Sequence, residues 1–207
     1  MSAHRAPAAS KRPPGRRGTP HEVRIIGGQW RRTKLPVADR PGLRPTPDRV
    51  RETLFNWLGQ DLTGWRCVDA FAGSGALGFE AASRGAADVW LIEQDARLVA
   101  ALAALKEKLH ADAVRVQRGD GVGALARCAA ASLDLVFLDP PFEAHDLLIS
   151  ALRAAARAVR SGGWIYLEAP QPIVAGVLAA NGLDLHRRLK AGAVHAHVLT
   201  PIADRTA

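Results

Sequence analysis

The chain has 207 residues, of which 48% are hydrophobic, and a formal net charge of +8. This size and composition favour one folded domain with extensions and exclude a mainly disordered protein. No stretch approaches the roughly 18 consecutive apolar residues that a membrane helix needs, so we expect no membrane association. Cys67 and Cys128 lie in apolar surroundings without metal-ligand spacing, which favours two buried free thiols in a cytoplasmic protein.

The positive charge is concentrated at the N-terminal end. Residues 1–51 contain 13 Lys and Arg against 3 acids, a net charge of +10, whereas the rest of the chain contains 15 against 17, a net charge of −2. A nearly neutral body with a basic N-terminal quarter predicts a polyanionic partner that this quarter contacts. A solubilising tail is the alternative, but the basic residues continue beyond the tail into a segment with a regular apolar pattern.

Three units are predicted along the chain. Residues 1–22 are rich in Pro, Arg, Ala and Gly and lack apolar periodicity, which predicts a basic disordered arm. Residues 23–45 form an extension in which two short strands flank Gly27 and Gly28. Residues 46–203 form the main domain.

A helix is predicted to begin at Thr46-Pro47-Asp48. Thr46 suits the N-cap, Pro47 the first helical position, and Asp48 the positive end of the helix dipole. The apolar stripe of this helix consists of Val50, Leu54, Trp57 and Leu58.

From Trp65 onward, short apolar runs alternate with helical patterns. The predicted strands are 66–70, 88–93, 113–118, 133–138 and 163–168, and the predicted helices are 75–84, 96–110, 121–130, 145–159 and 170–180. Residues 183–190 and 193–200 then form a hairpin that turns near Ala191-Gly192. The alternation predicts an α/β fold with a doubly wound, mostly parallel seven-stranded sheet and a C-terminal antiparallel hairpin. Ligands of such sheets bind beyond the carboxyl ends of the strands.

A glycine-rich loop follows the first strand of this sheet, from Asp69 to Gly78. Gly73 and Gly75 allow a tight turn against a ligand, and the free N–H groups of the next helix face it. The glycines alone also fit a dinucleotide. Asp69 favours S-adenosylmethionine instead, because a carboxylate in the loop repels a pyrophosphate and attracts an ammonium or a sulfonium.

Two further acids end the next strands. Glu93 lies 20 residues beyond Gly73, the usual place for an acid that accepts the ribose hydroxyls. Asp120 follows the third strand and can accept a hydrogen bond from an adenine amino group. Either residue alone could be a solvated loop carboxylate.

The fourth strand runs into the tetrapeptide Asp139, Pro140, Pro141 and Phe142. The two prolines stiffen the loop, so the Asp139 carboxylate and the Pro140 carbonyl point in fixed directions. Both groups can accept hydrogens from an exocyclic NH2, which localises the nitrogen lone pair for in-line attack on a methyl group. Phe142 offers a ring on which an unstacked base can lie.

These motifs resemble a known family. Residues 69–78 and 139–142 look like the amino-methyltransferases of the seven-stranded S-adenosylmethionine class. Residues 24–30 and 42–56 look like the bacterial family that methylates N2 of one guanine in small-subunit (16S) ribosomal RNA. The resemblance extends from about residue 23 to about residue 200. It departs at the basic arm 1–22 and at His195 and His197 in the final hairpin.

The resemblance implies S-adenosylmethionine as donor and a guanine of 16S ribosomal RNA as acceptor. We expect a monomer that acts on this RNA within a small-subunit particle, and naked RNA stays open as the alternative substrate. It places the catalytic site at Asp139, Pro140, Pro141 and Phe142. The expected cofactor site comprises Asp69, Phe71, Gly73, Ser74, Gly75, Glu93, Asp120 and Thr46. The expected RNA contacts are Arg24, Arg31, Arg32, Arg44, Arg49 and Arg51.

Several alternatives stay open. Arg44 and Thr46 could hold either the carboxylate of the cofactor or an RNA phosphate. A metal site is not expected, because His195 and His197 have no evident third ligand. A DNA amino-methyltransferase, an NAD-dependent oxidoreductase and a non-catalytic RNA-binding protein are the rival functions. The short segment between Glu93 and Asp139 leaves no room for the target-recognition domain that DNA enzymes generally carry.

Overall fold

A computed structural model describes residues 22–37, 46–140 and 145–202 of the chain. The first two strands, β1 (Glu22–Arg24) and β2 (Lys34–Pro36), form a separate antiparallel hairpin. Val23 lies opposite Leu35 in this hairpin, and both side chains are buried against the main domain. The hairpin confirms the pair of short N-terminal strands, and the segment that joins the strands spans residues 25–33.

The remaining elements of the described residues follow in chain order. They are α1 (Asp48–Trp57), β3 (Arg66–Asp69), α2 (Ala76–Ser83), β4 (Asp88–Glu93), α3 (Ala96–Leu109), β5 (Val114–Arg118), α4 (Gly121–Arg127), β6 (Leu133–Leu138), α5 (His145–Ala158), β7 (Val159–Ala169), α6 (Ala175–Ala180), β8 (Leu183–Ala191) and β9 (Val194–Pro201).

Seven of these strands form one sheet in the order β5-β4-β3-β6-β7-β9-β8. The first five strands in this order are parallel, whereas β9 runs antiparallel to β7 and pairs with β8 as a hairpin. After β5 the chain returns to the other side of β3, so the winding direction reverses between β3 and β6. Such a reversal opens a crevice at the carboxyl ends of the two strands. The mostly parallel α/β fold is thereby confirmed.

Helices cover both faces of the sheet, because alternate strand residues point to opposite sides. On one face, Leu135 and Phe137 of β6 pack in a cluster with side chains of α1, α2 and α3. On the other face, Val136 and Leu138 pack with α4, α5 and α6. We call the first side the α1 face. No helix in the described ranges is long and apolar enough to cross a membrane.

Several element boundaries differ from the sequence prediction, and three of them differ by three residues or more. Helix α4 ends at Arg127, three residues before the predicted end. Strand β7 begins at Val159, four residues before the predicted start, with a register irregularity between Leu133 and Leu135 of its neighbour. Helix α6 begins at Ala175, because Pro170 and Pro172 restrict the preceding residues to extended backbone.

The predicted cap of α1 is wrong. The helix starts at Asp48, Pro47 occupies the N-cap position, and no side chain caps the helix. The Thr46 hydroxyl donates to Glu168 Oε1 instead, at 2.6 Å. A buried carboxylate 122 residues away in the chain therefore takes the hydroxyl that the local pattern assigned to the helix end.

The N-terminal hairpin is fastened to α2 through its two glycines. A Cβ atom on Gly28 would lie 1.8 Å from the Ser83 carbonyl oxygen, so no other residue fits this close approach, and the positive φ of 72° also favours glycine. The Ile26 and Gly27 N–H groups donate to the Glu80 carboxylate, each at 2.7 Å. The Gly-Gly pair is thus a docking element of the fold.

Candidate active site at the carboxyl end of the sheet

Asp69, the last residue of β3, lies beneath the glycine loop and is 1% exposed. Its Oδ2 atom accepts the Gly78 N–H at 3.2 Å. Its Oδ1 atom is buried and makes no hydrogen bond of normal geometry within the part of the chain that the structure describes, although the Phe71 N–H is near enough to oppose the rise in the pKa of Asp69. Burial raises the pKa of Asp69 to about 7. A buried carboxylate with one unsatisfied oxygen lacks a donor, and an ammonium supplies one.

The glycine loop is held by Glu93, the last residue of β4. Glu93 Oε2 accepts the Gly73 N–H at 2.9 Å, and Oε1 accepts the Asp95 N–H at 2.8 Å. Each carboxylate oxygen has capacity for a further donor. Gly73 and Gly75 have φ angles of 51° and 76°, which explains why glycine occupies both positions.

Two other predicted cofactor residues, Phe71 and Ser74, lie in this loop and are partly exposed. Asp120 is the N-cap of α4, where its oxygens accept the Val122 and Gly123 N–H groups at 3.3 and 2.7 Å. Its side chain is exposed, so each oxygen can take a second donor. A contact between Asp120 and adenine stays a prediction.

Asp139 and Pro140 follow the end of β6 directly, beside the switch point. The pKa of Asp139 is raised well above its usual value, because burial is reinforced by the charges of Glu168 and Asp69. Pro141 and Phe142 lie outside the described residues, so only the first half of the tetrapeptide is placed.

Glu168, near the end of β7, was not among the predicted site residues. It is 3% exposed, and its Oε1 atom accepts hydroxyl groups from Thr46 at 2.6 Å and Tyr166 at 2.8 Å. Burial raises its pKa, although the two hydroxyl groups oppose that rise. A signal existed in the sequence, since the predicted strand 163–168 ends at this acid as the other strands end at theirs.

Three acids therefore share the α1 face at the crevice. Asp69 pairs in register with Phe137, and Phe137 pairs with Tyr166. Residues two positions along a strand return to the same face, so Asp139 and Glu168 lie one step beyond these rings. The row of Asp69, Asp139 and Glu168 is strongly acidic, and cations or hydrogen-bond donors are its natural ligands.

Thr46 does not fit the anion-binding role that was expected of it. Its side chain is buried, and its hydroxyl hydrogen is used by Glu168. The neighbouring carboxylate would repel the cofactor carboxylate or an RNA phosphate. Thr46 is a positioning residue for Glu168 in this structure, and Arg44 lies outside the described residues.

Four of the predicted RNA-contact residues, Arg24, Arg31, Arg32 and Arg49, have exposed side chains. Arg51 is a correction to that set, because its side chain is fully buried.

The Arg51 guanidinium donates to the Arg24 carbonyl at 2.7 Å, to Asp48 at 2.8 Å and to Glu80 at 3.3 Å. Glu80, also fully buried, accepts a second guanidinium from Arg84 at 2.9 Å. Arg51 therefore stabilises the docked hairpin and is not available to RNA.

The acceptor groups of this crevice fit S-adenosylmethionine. The unsatisfied Asp69 oxygen can bind the ammonium, and Glu93 stands at the end of the adjacent strand, where it can accept ribose hydroxyls. A pyrophosphate fits poorly, because it would meet the carboxylate of Asp69. No group of His, Cys, Asp and Glu suited to a metal ion occurs among the described residues.

Comparison with known proteins agrees with this geometry. The sequence profile of the family described as conserved hypothetical protein 95 matches residues 23–200. Over 179 residues the chain is 43% identical to the ribosomal RNA small subunit methyltransferase D of Escherichia coli strain K12, covering 84% of this chain and 87% of that protein. It is 32% identical to the protein of the same name from Buchnera aphidicola, covering 84% and 89%.

Solved structures of proteins described as methyltransferases also resemble this chain. A protein from Escherichia coli described as a methyltransferase superposes with a TM-score of 0.75 at 37% identity, covering 89% of this chain and all of that one. A protein from Haemophilus influenzae described as a methylase superposes with a TM-score of 0.72 at 32% identity, covering 88% and 99%.

Proposed function

The chain belongs to the family described as conserved hypothetical protein 95, and we propose that it is an S-adenosylmethionine-dependent methyltransferase of small-subunit ribosomal RNA. The acceptor in this proposal is the exocyclic N2 amine of one guanine. The observation that carries it is the 43% identity to a small-subunit ribosomal RNA methyltransferase, together with an acidic row at the carboxyl ends of β3, β6 and β7. We further propose that the enzyme acts as a cytoplasmic monomer on RNA within a small-subunit particle.

Asp69 and Glu93 would hold the cofactor. Asp69 Oδ1 accepts the ammonium, which satisfies the buried oxygen, and the Glu93 carboxylate accepts the ribose hydroxyls while it holds the Gly73 N–H. When bound, S-adenosylmethionine supplies a methyl group on a positively charged sulfur. Loss of the ribose contact through Glu93→Ala should raise the KM for the cofactor more than it lowers kcat.

Asp139 and Pro140 would hold the target amine. Their carboxylate and carbonyl oxygens accept its two hydrogens, so the nitrogen lone pair becomes localised and points at the methyl group. The nitrogen held by Asp139 and Pro140 would accept the methyl group of the cofactor, and the sulfur would keep the electron pair of the bond that it loses. The methylated amine then carries one extra proton, which the Asp139 carboxylate is placed to accept. A protonated base amine is a far stronger acid than a carboxyl group, so the Asp139 carboxylate can take this proton.

The exposed arginines of the N-terminal hairpin would hold the RNA backbone. Arg31 and Arg32 lie in the turn segment between β1 and β2, on a hairpin that the Glu80 network fastens to the catalytic domain. An ordered basic hairpin loses less entropy on binding than a flexible segment does. We assign it to phosphate contacts, and base selection to the acidic crevice.

The rival functions have less support. Between Glu93 and Asp139 the described chain holds α3, β5, α4 and β6 with short connections, which leaves no target-recognition domain for DNA. An NAD-dependent oxidoreductase would have to bind a pyrophosphate beside Asp69. A non-catalytic RNA-binding protein would not need the buried acids at the crevice.

The direct experiment is methyl transfer by the purified protein from labelled S-adenosylmethionine to small-subunit RNA, both naked and assembled with its proteins. We expect N2-methylguanosine at one position in the nucleoside digest. Deletion of the gene should remove the same nucleoside from cellular ribosomal RNA. Methylated adenine or cytosine as the product would contradict the proposal.

A further inference from the structure

Glu168 and Asp139 lie side by side at the ends of neighbouring parallel strands. Leu138 of β6 is in register with Leu167 of β7, so the next pair of positions is 139 and 168. Phe137 and Tyr166, two residues earlier, face the same side with ring centroids 6.3 Å apart. Adjacent strands are about 4.8 Å apart, so the two acids form a pair of acceptors on the α1 face.

The Glu168 carboxylate is held from one side only. The Thr46 and Tyr166 hydroxyl groups both donate to Oε1, at 2.6 and 2.8 Å. Among the described residues, the hydrogen-bond donors to Glu168 are these two hydroxyl groups, and neither of them contacts Oε2. Two hydroxyl groups thus fix the carboxylate in place and leave one oxygen as an acceptor beside the amine site of Asp139.

Guanine presents a matching pair of donors. Its N1–H and N2 amine are adjacent on the Watson–Crick edge, whereas adenine and cytosine place a ring nitrogen lone pair beside their amine. We propose that Glu168 accepts the N1–H of the target guanine while Asp139 holds the N2 amine, and that Glu168 thereby selects guanine over adenine and cytosine. This inference rests on the proposed function, because it assigns a residue to base selection in that reaction.

The proposed preference for guanine depends on unfavourable contacts of adenine and cytosine as well as on the favourable contact of guanine. A ring nitrogen of adenine or cytosine would place its lone pair against the Glu168 carboxylate, which costs both a hydrogen bond and a repulsion inside a buried site. A site built to receive a donor rejects an analogue that lacks it far more strongly than an apolar pocket does.

The test compares two bases that share the N2 amine. Small-subunit RNA is ligated with either guanine or 2-aminopurine at the methylated position, since 2-aminopurine keeps the amine but has a lone pair at N1. The ratio of kcat/KM for guanine to that for 2-aminopurine is measured for the wild type and for Glu168→Gln. The glutamine keeps an oxygen for Thr46 and Tyr166 and can turn an N–H toward N1. We expect the wild type to favour guanine by roughly 10- to 100-fold and the variant to lose most of that preference.

Glu93→Gln is the matched control. It removes a carboxylate from the cofactor side of the same crevice, so it should slow both reactions together and leave the ratio unchanged. A purely structural role for Glu168 would likewise lower both rates in proportion, so an unchanged ratio in Glu168→Gln overturns the inference.

Wild-type enzyme that methylates 2-aminopurine as fast as guanine also overturns the inference, and this measurement stands if the variant fails to fold. Absence of any guanine methylation by the wild type would instead refute the proposed function.

Discussion

Asp69 allows a quantitative test of the cofactor site, because its carboxyl group is buried in the ligand-free protein. Burial raises its pKa from 3.8 to about 7, so the folded state binds this proton more tightly than the unfolded chain. The contribution of Asp69 to stability is therefore fully present below about pH 4 and is lost as the pH rises to about 7. A tenfold change in proton affinity equals about 1.4 kcal/mol, so the loss amounts to roughly 4 kcal/mol.

The perturbation is Asp69→Asn. Asparagine keeps an oxygen for the Gly78 N–H but carries no charge to bury. Its amide leaves a buried N–H group unpaired, at a cost of about 1–3 kcal/mol, which is less than the burial of the ionised carboxylate. We expect the variant to be at least as stable as the wild type at pH 8. Cofactor affinity should change in the opposite direction, falling roughly 10- to 100-fold with the loss of the charged acceptor.

The assay is urea unfolding of both proteins from about pH 4.5 to 8, with calorimetric titration of S-adenosylhomocysteine, which retains the ammonium, at pH 7.5. Subtracting one profile of unfolding free energy against pH from the other gives the contribution of Asp69, because the other buried acids are the same in both proteins. Asp112→Asn removes an exposed carboxylate and should change stability by less than about 0.5 kcal/mol. Parallel stability profiles for wild type and Asp69→Asn, or unchanged cofactor affinity, would refute the reasoning.

Three further predictions concern the hairpin, the chemistry and the RNA. Glu80→Gln should destabilise the protein by about 3–5 kcal/mol in denaturant unfolding, because the buried Arg84 loses its counterion and the buried Arg51 loses one of two. Glu52→Gln on the exposed side of α1 is the control, and a loss no larger than that of the control would contradict the role of the network. Asp139→Ala should lower the rate of methyl transfer by roughly 10²–10³-fold with nearly unchanged cofactor affinity, and near-normal turnover would remove Asp139 from the mechanism. Neutralising Arg31 and Arg32 together should weaken RNA binding without changing the methylated nucleotide. The slope of log affinity against log salt concentration should become shallower by about two. A shift of methylation to another base would show that the hairpin selects the base.

The central fold and the acids at its strand ends could be predicted because both signals are local. Strands such as Asp88–Glu93 and Leu133–Leu138 agree with the sequence prediction at both ends, since apolar runs bounded by helical patterns define them. The rule that a strand-end acid faces the crevice placed Asp69, Glu93 and Asp139. Applied to the predicted strand 163–168, the same rule would also have found Glu168.

What the sequence could not predict depends on partners that are distant along the chain. Thr46 has every local feature of an N-cap, yet a buried glutamate 122 residues later takes its hydroxyl. Arg51 belongs to a basic segment, yet a fully buried acid in α2 takes its guanidinium. In both cases a buried carboxylate needs hydrogen-bond donors or a counterion. Leaving it without them costs more free energy than the loss of a helix cap or an exposed charge contact, which is worth about 1 kcal/mol or less.

The acidic row also couples the two ligands of the proposed reaction through charge. Asp69 helps to raise the pKa of Asp139, because the two carboxylates lie on the same face of the sheet and Asp139 is only partly exposed. A cation bound against Asp69 offsets that charge, so the pKa of Asp139 falls toward its ordinary value and the ionised carboxylate becomes the stronger acceptor for the amine. The amine is neutral and cannot relieve the repulsion in the same way. We therefore expect the base to bind more tightly when the cationic site is filled, and by reciprocity we expect a base held by Asp139 to raise the affinity for the cofactor.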